Sequence, residues 1–125
     1  MDIRNIEDII LLVDRFYEKV NVDNLLAPVF NEFAKVNWDE HLPVMYSFWS
    51  AVLFETNTYK GQPLTSHLEL PISTEHFNRW LELFKKTVDE NFSGKTAEEA
   101  KEKADSIAQI FQTKLGLIKS DLSIF

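Results

Sequence analysis

Apolar residues recur at helical spacing over most of the chain. Between Ile6 and Val20 they fall at positions 6, 10, 13, 17 and 20, which lie on one face of an α-helix. Asp23 is placed to cap a second, shorter helix, in which Pro28 either occupies the first turns or breaks the helix. The apolar positions of this second helix are Leu25, Leu26, Val29, Phe30 and Phe33.

A third helix is predicted to begin near Asn37, which with Glu40 resembles a capping box. Pro43 follows soon after the first turn, so the pattern allows a kink or a later start. A turn-rich stretch from Glu55 to Gln62 comes next, and a short helical piece over 64–70 ends at Pro71. The apolar stripe of the third helix consists of Trp38, His41, Met45, Phe48, Trp49 and Val52.

Two more helices complete the pattern. Ser73 or Thr74 caps the first of them, and Gly94 is expected to stop it. Thr96 and Glu99 form a second capping box at the start of a long final helix. No stretch alternates with period two and no repeat or linker is present, so the sequence predicts one all-α domain over residues 1–125. The inward positions of the two helices are Phe77, Trp80, Leu81, Phe84 and Val88 in one, and Ala97, Ala100, Ala104, Ile107, Phe111, Leu115 and Ile118 in the other.

Composition removes several classes of function. The chain contains no cysteine, which excludes disulfides, thiolate metal sites and cysteine nucleophiles. Its net charge of −7 and the lack of clustered lysine and arginine argue against a nucleic-acid or anionic-membrane partner. No apolar run is long enough for a signal core or a membrane span, so the expected compartment is the cytoplasm.

The remaining candidates for chemistry are histidines and polar aromatic residues. The sequence holds no phosphate-binding glycine loop, nucleophile elbow or H-E-x-x-H pair. His41 lies on an apolar stripe and His67 follows the turn-rich return, so the two can face each other across a slot walled by Phe30, Phe48 and Trp49. Leu64 and Leu68 share the inward face of His67, the Tyr17 hydroxyl and the Trp80 indole N–H also point inward, and His76 is expected to face solvent. Each of these residues also has an ordinary interpretation as a core or boundary residue.

Seven fragments, in order along nearly the whole chain, resemble the truncated haemoglobins of group III. Groups I and II usually carry paired glycines at helix ends, whereas Gly61, Gly94 and Gly116 are not adjacent here. The fragments span residues 16–20, 28–30, 38–41, 48–49, 59–63, 67–71 and 77–84.

The resemblance implies a two-over-two helical sandwich that encloses one non-covalent haem b. It places the proximal iron ligand on His67 and the distal residues on Tyr17, Trp80 and His41. Phe30 matches the aromatic residue that packs against the porphyrin, and Phe48, Trp49, Leu64 and Leu68 are expected to line the cofactor. The candidate propionate partners are Lys35, Lys60 and Arg79.

Several functions are compatible with that site. The first is binding of dioxygen or another small diatomic ligand at a five-coordinate iron. The second is redox catalysis, either nitric oxide dioxygenation or a peroxidase-like reaction, for which a reductase is a candidate partner. A cofactor-free helical interaction domain, which predicts a colourless protein, and a binder of apolar ligands, which predicts no metal dependence, are the remaining alternatives.

Overall fold

The computed structural model describes residues 1–54 and 72–115, and in this part of the chain the secondary structure is entirely helical. It contains four α-helices and one π-helical turn, as the predicted all-α class requires. They are α1 (Ile6–Asn21), the π-helical turn (Val29–Phe33), α2 (Trp38–Phe54), α3 (Thr74–Asn91) and α4 (Lys95–Lys114).

Helix α1 begins where its sequence provides a cap. The Asn5 side chain accepts a hydrogen bond from the Asp8 backbone N–H at 3.0 Å, and Lys19 lies in the last turn, where a positive charge is favourable. The buried face is wider than the predicted stripe, and Ile6, which belonged to that stripe, is 45% exposed. The buried face consists of Asp8, Ile9, Leu12, Val13, Phe16, Tyr17 and Val20.

The predicted second helix is instead a turn followed by π-helical backbone. The Asp23 carboxylate accepts hydrogen bonds from the backbone N–H groups of Leu25 and Leu26, at 3.1 and 2.9 Å, so the predicted cap is present. Pro28 directly precedes the π-helical turn, in which Ala34 N–H donates to the Val29 carbonyl at 2.9 Å. Such π-helical turns are rare and frequently occur near functional sites.

Helix α2 continues through Pro43 and is tied to α1. Its first turn is closed by hydrogen bonds from the Glu40 and His41 backbone N–H groups to the Asn37 carbonyl. Half-buried Tyr46 donates from its hydroxyl to the Asp14 carboxylate on α1. This bond fixes α2 against the helix that carries Tyr17.

Helix α3 begins after Ser73, one of the two caps expected. The Ser73 backbone N–H donates to His76 Nδ1 at 3.0 Å, so the half-buried imidazole takes part in the cap and the expectation that it faces solvent is wrong. The helix ends at Asn91, before Gly94, because the chain turns extended at Phe92. Gly94 caps the next helix instead, with φ of +134°.

The start of α4 is completed by a residue from the other end of the chain. Asp2 accepts hydrogen bonds from the Thr96 and Ala97 backbone N–H groups, at 2.9 and 2.8 Å. The predicted capping box of Thr96 with Glu99 is therefore wrong, because the N-cap is Gly94 and the Asp2 carboxylate accepts the hydrogen bonds of the first turn. A Cβ at Gly94 would lie 2.6 Å from Asp2 Cγ, so only glycine leaves room for this contact.

The four α-helices pack as two pairs. Helix α1 pairs with α2 and α3 with α4, while α1 also packs on α3 and α2 on α4. Alanines occupy the buried face of α4 and permit a close approach of its neighbours, whereas large aromatic side chains fill the space between the pairs. The buried alanines are Ala97, Ala100, Ala104 and Ala108, and Ile107, Phe111 and Leu115 are half-buried.

Candidate functional site

Tyr17 is enclosed by aromatic rings from three elements. Its side chain is 4% exposed and lies on the inner face of α1. The ring centroids of Phe16, Trp38, His41 and Phe30 lie 4.8, 5.2, 5.6 and 5.9 Å from that of Tyr17. Because the contacts come from α1, the π-helical turn and α2, they fix the ring where these three elements meet.

The Tyr17 side chain is buried, and its hydroxyl has no hydrogen-bond acceptor among the residues that the structure describes. Burial raises the pKa of Tyr17 above its ordinary value of 10.0, and burial is the only cause of the shift. Within residues 1–54 and 72–115, no group accepts a hydrogen bond from this hydroxyl. A buried tyrosine hydroxyl usually has such a partner. Tyr17 therefore remains protonated over the physiological pH range and carries a donor available to a ligand.

His41 lies beside the Tyr17 ring. It belongs to the first turn of α2 and is half-buried, and its ring meets those of Tyr17 and Trp38 edge to face, each at 5.6 Å. The hydrogen bond of 2.8 Å from its backbone N–H to the Asn37 carbonyl holds this turn in place. The structure thus brings together two of the three residues expected on the distal side.

Trp80 approaches the same region from α3 but is separated from Tyr17 by Phe16. The Trp80 ring meets Phe16 edge to face at 5.7 Å and stacks on Phe84 at 5.7 Å with an interplanar angle of 12°. Phe16 therefore contacts the rings of both predicted distal donors, Tyr17 and Trp80.

The two aromatic residues expected to line the slot from α2 differ in their surroundings. Trp49 is 1% exposed and stacks on Phe84 at 4.6 Å, which places it in the core between the helix pairs. Phe48 is half-buried and meets Trp49 edge to face at 5.5 Å. Phe30 stacks on Trp38 at 5.8 Å, as well as contacting Tyr17.

Three predicted site residues, Leu64, His67 and Leu68, lie outside the described residues, as does Lys60. The proximal ligand and the residues beside it therefore stay predictions. In the part of the chain that the structure describes, no three histidine or acidic side chains converge on a candidate metal site. Haem does not need such a cluster, because a single imidazole suffices to hold its iron.

Arg79, a candidate propionate partner, is bound by protein carboxylates. Its guanidinium lies 2.6 Å from Asp23 and 3.5 Å from Glu82. Burial alone raises the pKa of Asp23, but hydrogen bonding to Arg79 and to the backbone outweighs burial and lowers the pKa below 3.8. Asp23 thus joins the turn before Phe30 to the helix that carries Trp80.

Sequence reasoning missed a chain of hydrogen bonds beside Tyr17. The Trp38 indole N–H donates to Asn31 Oδ1 at 2.9 Å, Asn31 Nδ2 donates to Asn21 Oδ1 at 2.9 Å, and Asn21 Nδ2 donates to the Tyr17 carbonyl at 3.0 Å. The first two bonds join residues that are seven and ten positions apart and belong to different elements. No local pattern signals such a contact.

Comparison with known proteins gives concordant results. A protein-family model described as "Bacterial-like globin" matches residues 3–114. The group 3 truncated hemoglobin ctb of Campylobacter jejuni subsp. jejuni is 36% identical over 115 residues, covering 89% of this chain and 91% of that protein. The crystal structure of a group III truncated haemoglobin from Campylobacter jejuni matches with a TM-score of 0.83 at 34% identity, covering 95% of this chain and 97% of that one.

The chain therefore belongs to the bacterial-like globin family. The predicted resemblance to group III truncated haemoglobins and the predicted two-over-two fold are both confirmed. Membership in this family indicates a haem protein that binds diatomic gases. Among the described residues, no helix is both long and apolar enough to span a bilayer.

Proposed function

We propose that this chain binds one non-covalent haem b through His67 and holds dioxygen, or another small diatomic ligand, on the opposite side beside Tyr17. The observation that carries the proposal is the hydroxyl of the buried Tyr17 side chain, which has no acceptor among residues 1–54 and 72–115. The family relationship supports the haem, and the relative from Campylobacter jejuni carries the name of a haemoglobin.

The residues that the structure describes fit a haem ligand site. Aromatic rings from α1, the π-helical turn and α2 surround Tyr17, so a ligand beside it is shielded from water. When bound, haem supplies an iron atom with one open position, and a diatomic ligand there gains partial negative charge. A hydroxyl that stays protonated in apolar surroundings is suited to donate to that charge.

The other residues have distinct proposed roles. His41, in ring contact with Tyr17, borders the ligand on the α2 side, and Trp80 approaches from α3 beyond Phe16. Phe30 provides apolar surface toward the porphyrin, and Phe48 extends that surface along α2. Trp49 supports Phe48 from the core.

Absorption spectra test this proposal directly. We expect a Soret band in the purified protein, a five-coordinate spectrum in the ferrous state and a shifted band with carbon monoxide. His67→Ala should bind haem weakly or lose it, because the iron then has no proximal imidazole. His76→Ala is the matched control, since its imidazole caps α3 through Ser73, and it should retain haem.

Two results would contradict the proposal. A colourless protein that takes up no haem on reconstitution would favour the cofactor-free interpretation. A normal five-coordinate ferrous spectrum in His67→Ala would place the proximal ligand elsewhere.

Turnover of nitric oxide or peroxide with a supplied reductase would assign redox catalysis. The Tyr17 hydroxyl would then donate to a ligand that reacts.

A further inference from the structure

The hydrogen bonds from Trp38 through Asn31 and Asn21 to the Tyr17 carbonyl form a one-way series, here called the asparagine relay. An indole N–H can only donate, so Asn31 must present its oxygen to Trp38. The Asn31 amide group is then left to donate to Asn21, whose own amide group donates to Tyr17. The direction of every bond in the relay follows from the first one.

The asparagine relay joins the three elements that enclose Tyr17. Asn21 is the last residue of α1, Asn31 lies in the π-helical turn and Trp38 is the first residue of α2. Both asparagines are exposed, whereas the Trp38 ring is half-buried. The polar bonds therefore run along the outside of the site while the indole ring faces the aromatic cluster.

The Trp38 ring contacts three of the residues around the proposed ligand position. It stacks on Phe30 with an interplanar angle of 29°, lies 5.2 Å from the Tyr17 ring and meets His41 edge to face at 5.6 Å. A change in the Trp38 side-chain rotamer would therefore remove support from Tyr17 and His41 together. The N–H bond to Asn31 selects one rotamer.

We propose that Trp38, held by the asparagine relay, is a positioning residue for the Tyr17 hydroxyl. This inference rests on the proposed function, in which that hydroxyl donates to a bound ligand. Trp38 need not touch the ligand, because it acts through the ring of Tyr17. Loosening Trp38 should weaken the hydrogen bond from Tyr17 and leave the donor itself in place.

Four variants separate this role from general packing. Trp38→Phe keeps a ring and removes the N–H, Asn31→Ala removes its acceptor, and Asn21→Ala removes the attachment to α1. Asn91→Ala is the matched control, because Asn91 is the last residue of α3 and donates to the Thr87 carbonyl at 2.8 Å, as Asn21 does to Tyr17. Only Asn21 belongs to the relay.

Two measurements are needed. The first is ¹⁹F NMR of protein labelled with 5-fluorotryptophan, in which the three tryptophans give separate lines. We expect Asn31→Ala to shift and broaden the line of Trp38 and to leave those of Trp49 and Trp80 nearly unchanged. The second is the oxygen dissociation rate, which should rise about three- to tenfold in Trp38→Phe and Asn31→Ala, the effect of weakening one hydrogen bond. Asn91→Ala should match the unmodified protein in both.

A double-mutant cycle identifies the route of the effect. In a Tyr17→Phe background, Asn31→Ala should add nothing to the oxygen dissociation rate, because the group that Trp38 positions is absent. An equal increase in both backgrounds, or an equal effect of Asn91→Ala, would overturn the inference. If Tyr17→Phe accelerates dissociation and the relay variants do not, the inference falls and the proposed function stands. If Tyr17→Phe has no effect, both fall.

Discussion

Tyr17→Phe removes one buried hydroxyl and little else. The ring of phenylalanine fills the same volume, so the contacts with Phe16, Trp38, His41 and Phe30 are retained. A hydrogen bond to an acceptor that carries charge contributes about 1.5–3 kcal/mol. Since 1.4 kcal/mol corresponds to a factor of ten, we expect oxygen to dissociate roughly 10- to 150-fold faster. Carbon monoxide gains less negative charge and should respond less.

The assay is stopped-flow measurement of dissociation rates for both gases, with thermal unfolding of each variant. No group among the described residues accepts from the Tyr17 hydroxyl, so Tyr17→Phe should not lower the unfolding free energy. Tyr46→Phe is the matched control, because the Tyr46 hydroxyl donates to Asp14, which lies on α1 as Tyr17 does. It should reduce stability by about 1.5 kcal/mol, the low end of the range for a charged acceptor because Tyr46 is only half-buried, and leave oxygen dissociation unchanged. Equal acceleration for oxygen and carbon monoxide in Tyr17→Phe would refute the donor role.

Three further predictions concern stability. Asp2→Ala should lower the unfolding free energy by about 1–2 kcal/mol in chemical denaturation, since it removes a helix cap, and an unchanged midpoint would contradict that role. Burial raises the pKa of Asp23, but its hydrogen bonds to Arg79 and the backbone outweigh burial and bring the pKa below 3.8. The contribution of Asp23 to stability is therefore complete above pH 3.8 and is lost as the pH falls through the lowered pKa. Asp23→Asn should therefore flatten the acid limb of the stability profile, and an unaltered limb would contradict this. Burial and then Asp14 raise the pKa of Tyr46 from 10.0 to about 12, so absorbance at 295 nm should show it ionising near pH 12, and its contribution to stability should be lost between those values.

The helices could be predicted from the sequence because their signals are local. Apolar spacing identifies α1, and the Asp23 cap is formed two to three residues from its donors. The π-helical turn could not be predicted, since residues 29–33 carry the same apolar spacing as an α-helix. The start of α4 was misassigned because Thr96 and Glu99 match a local signature, while the carboxylate that caps the helix lies 94 residues away.

In the candidate site, too, local features could be predicted from the sequence and contacts between distant residues could not. The family resemblance singled out Tyr17, His41 and Phe30, and the structure brings these three rings together. Trp38 was placed on the apolar stripe of its helix, yet its role depends on Asn31 in another element. Residue type and spacing identify which side chains bear chemistry, whereas the hydrogen bonds that orient them depend on tertiary packing.

The contact between Asp2 and Gly94 constrains how this sequence can diverge. Gly94 has a backbone conformation that favours glycine, and any added carbon there would collide with the Asp2 side chain. A change at position 2 would remove the collision but not the backbone strain, and it would leave the amides of Thr96 and Ala97 without the Asp2 acceptor. Two independent constraints, the positive φ and the Asp2 side chain, therefore favour glycine at position 94, and the second comes from a residue far away in the sequence.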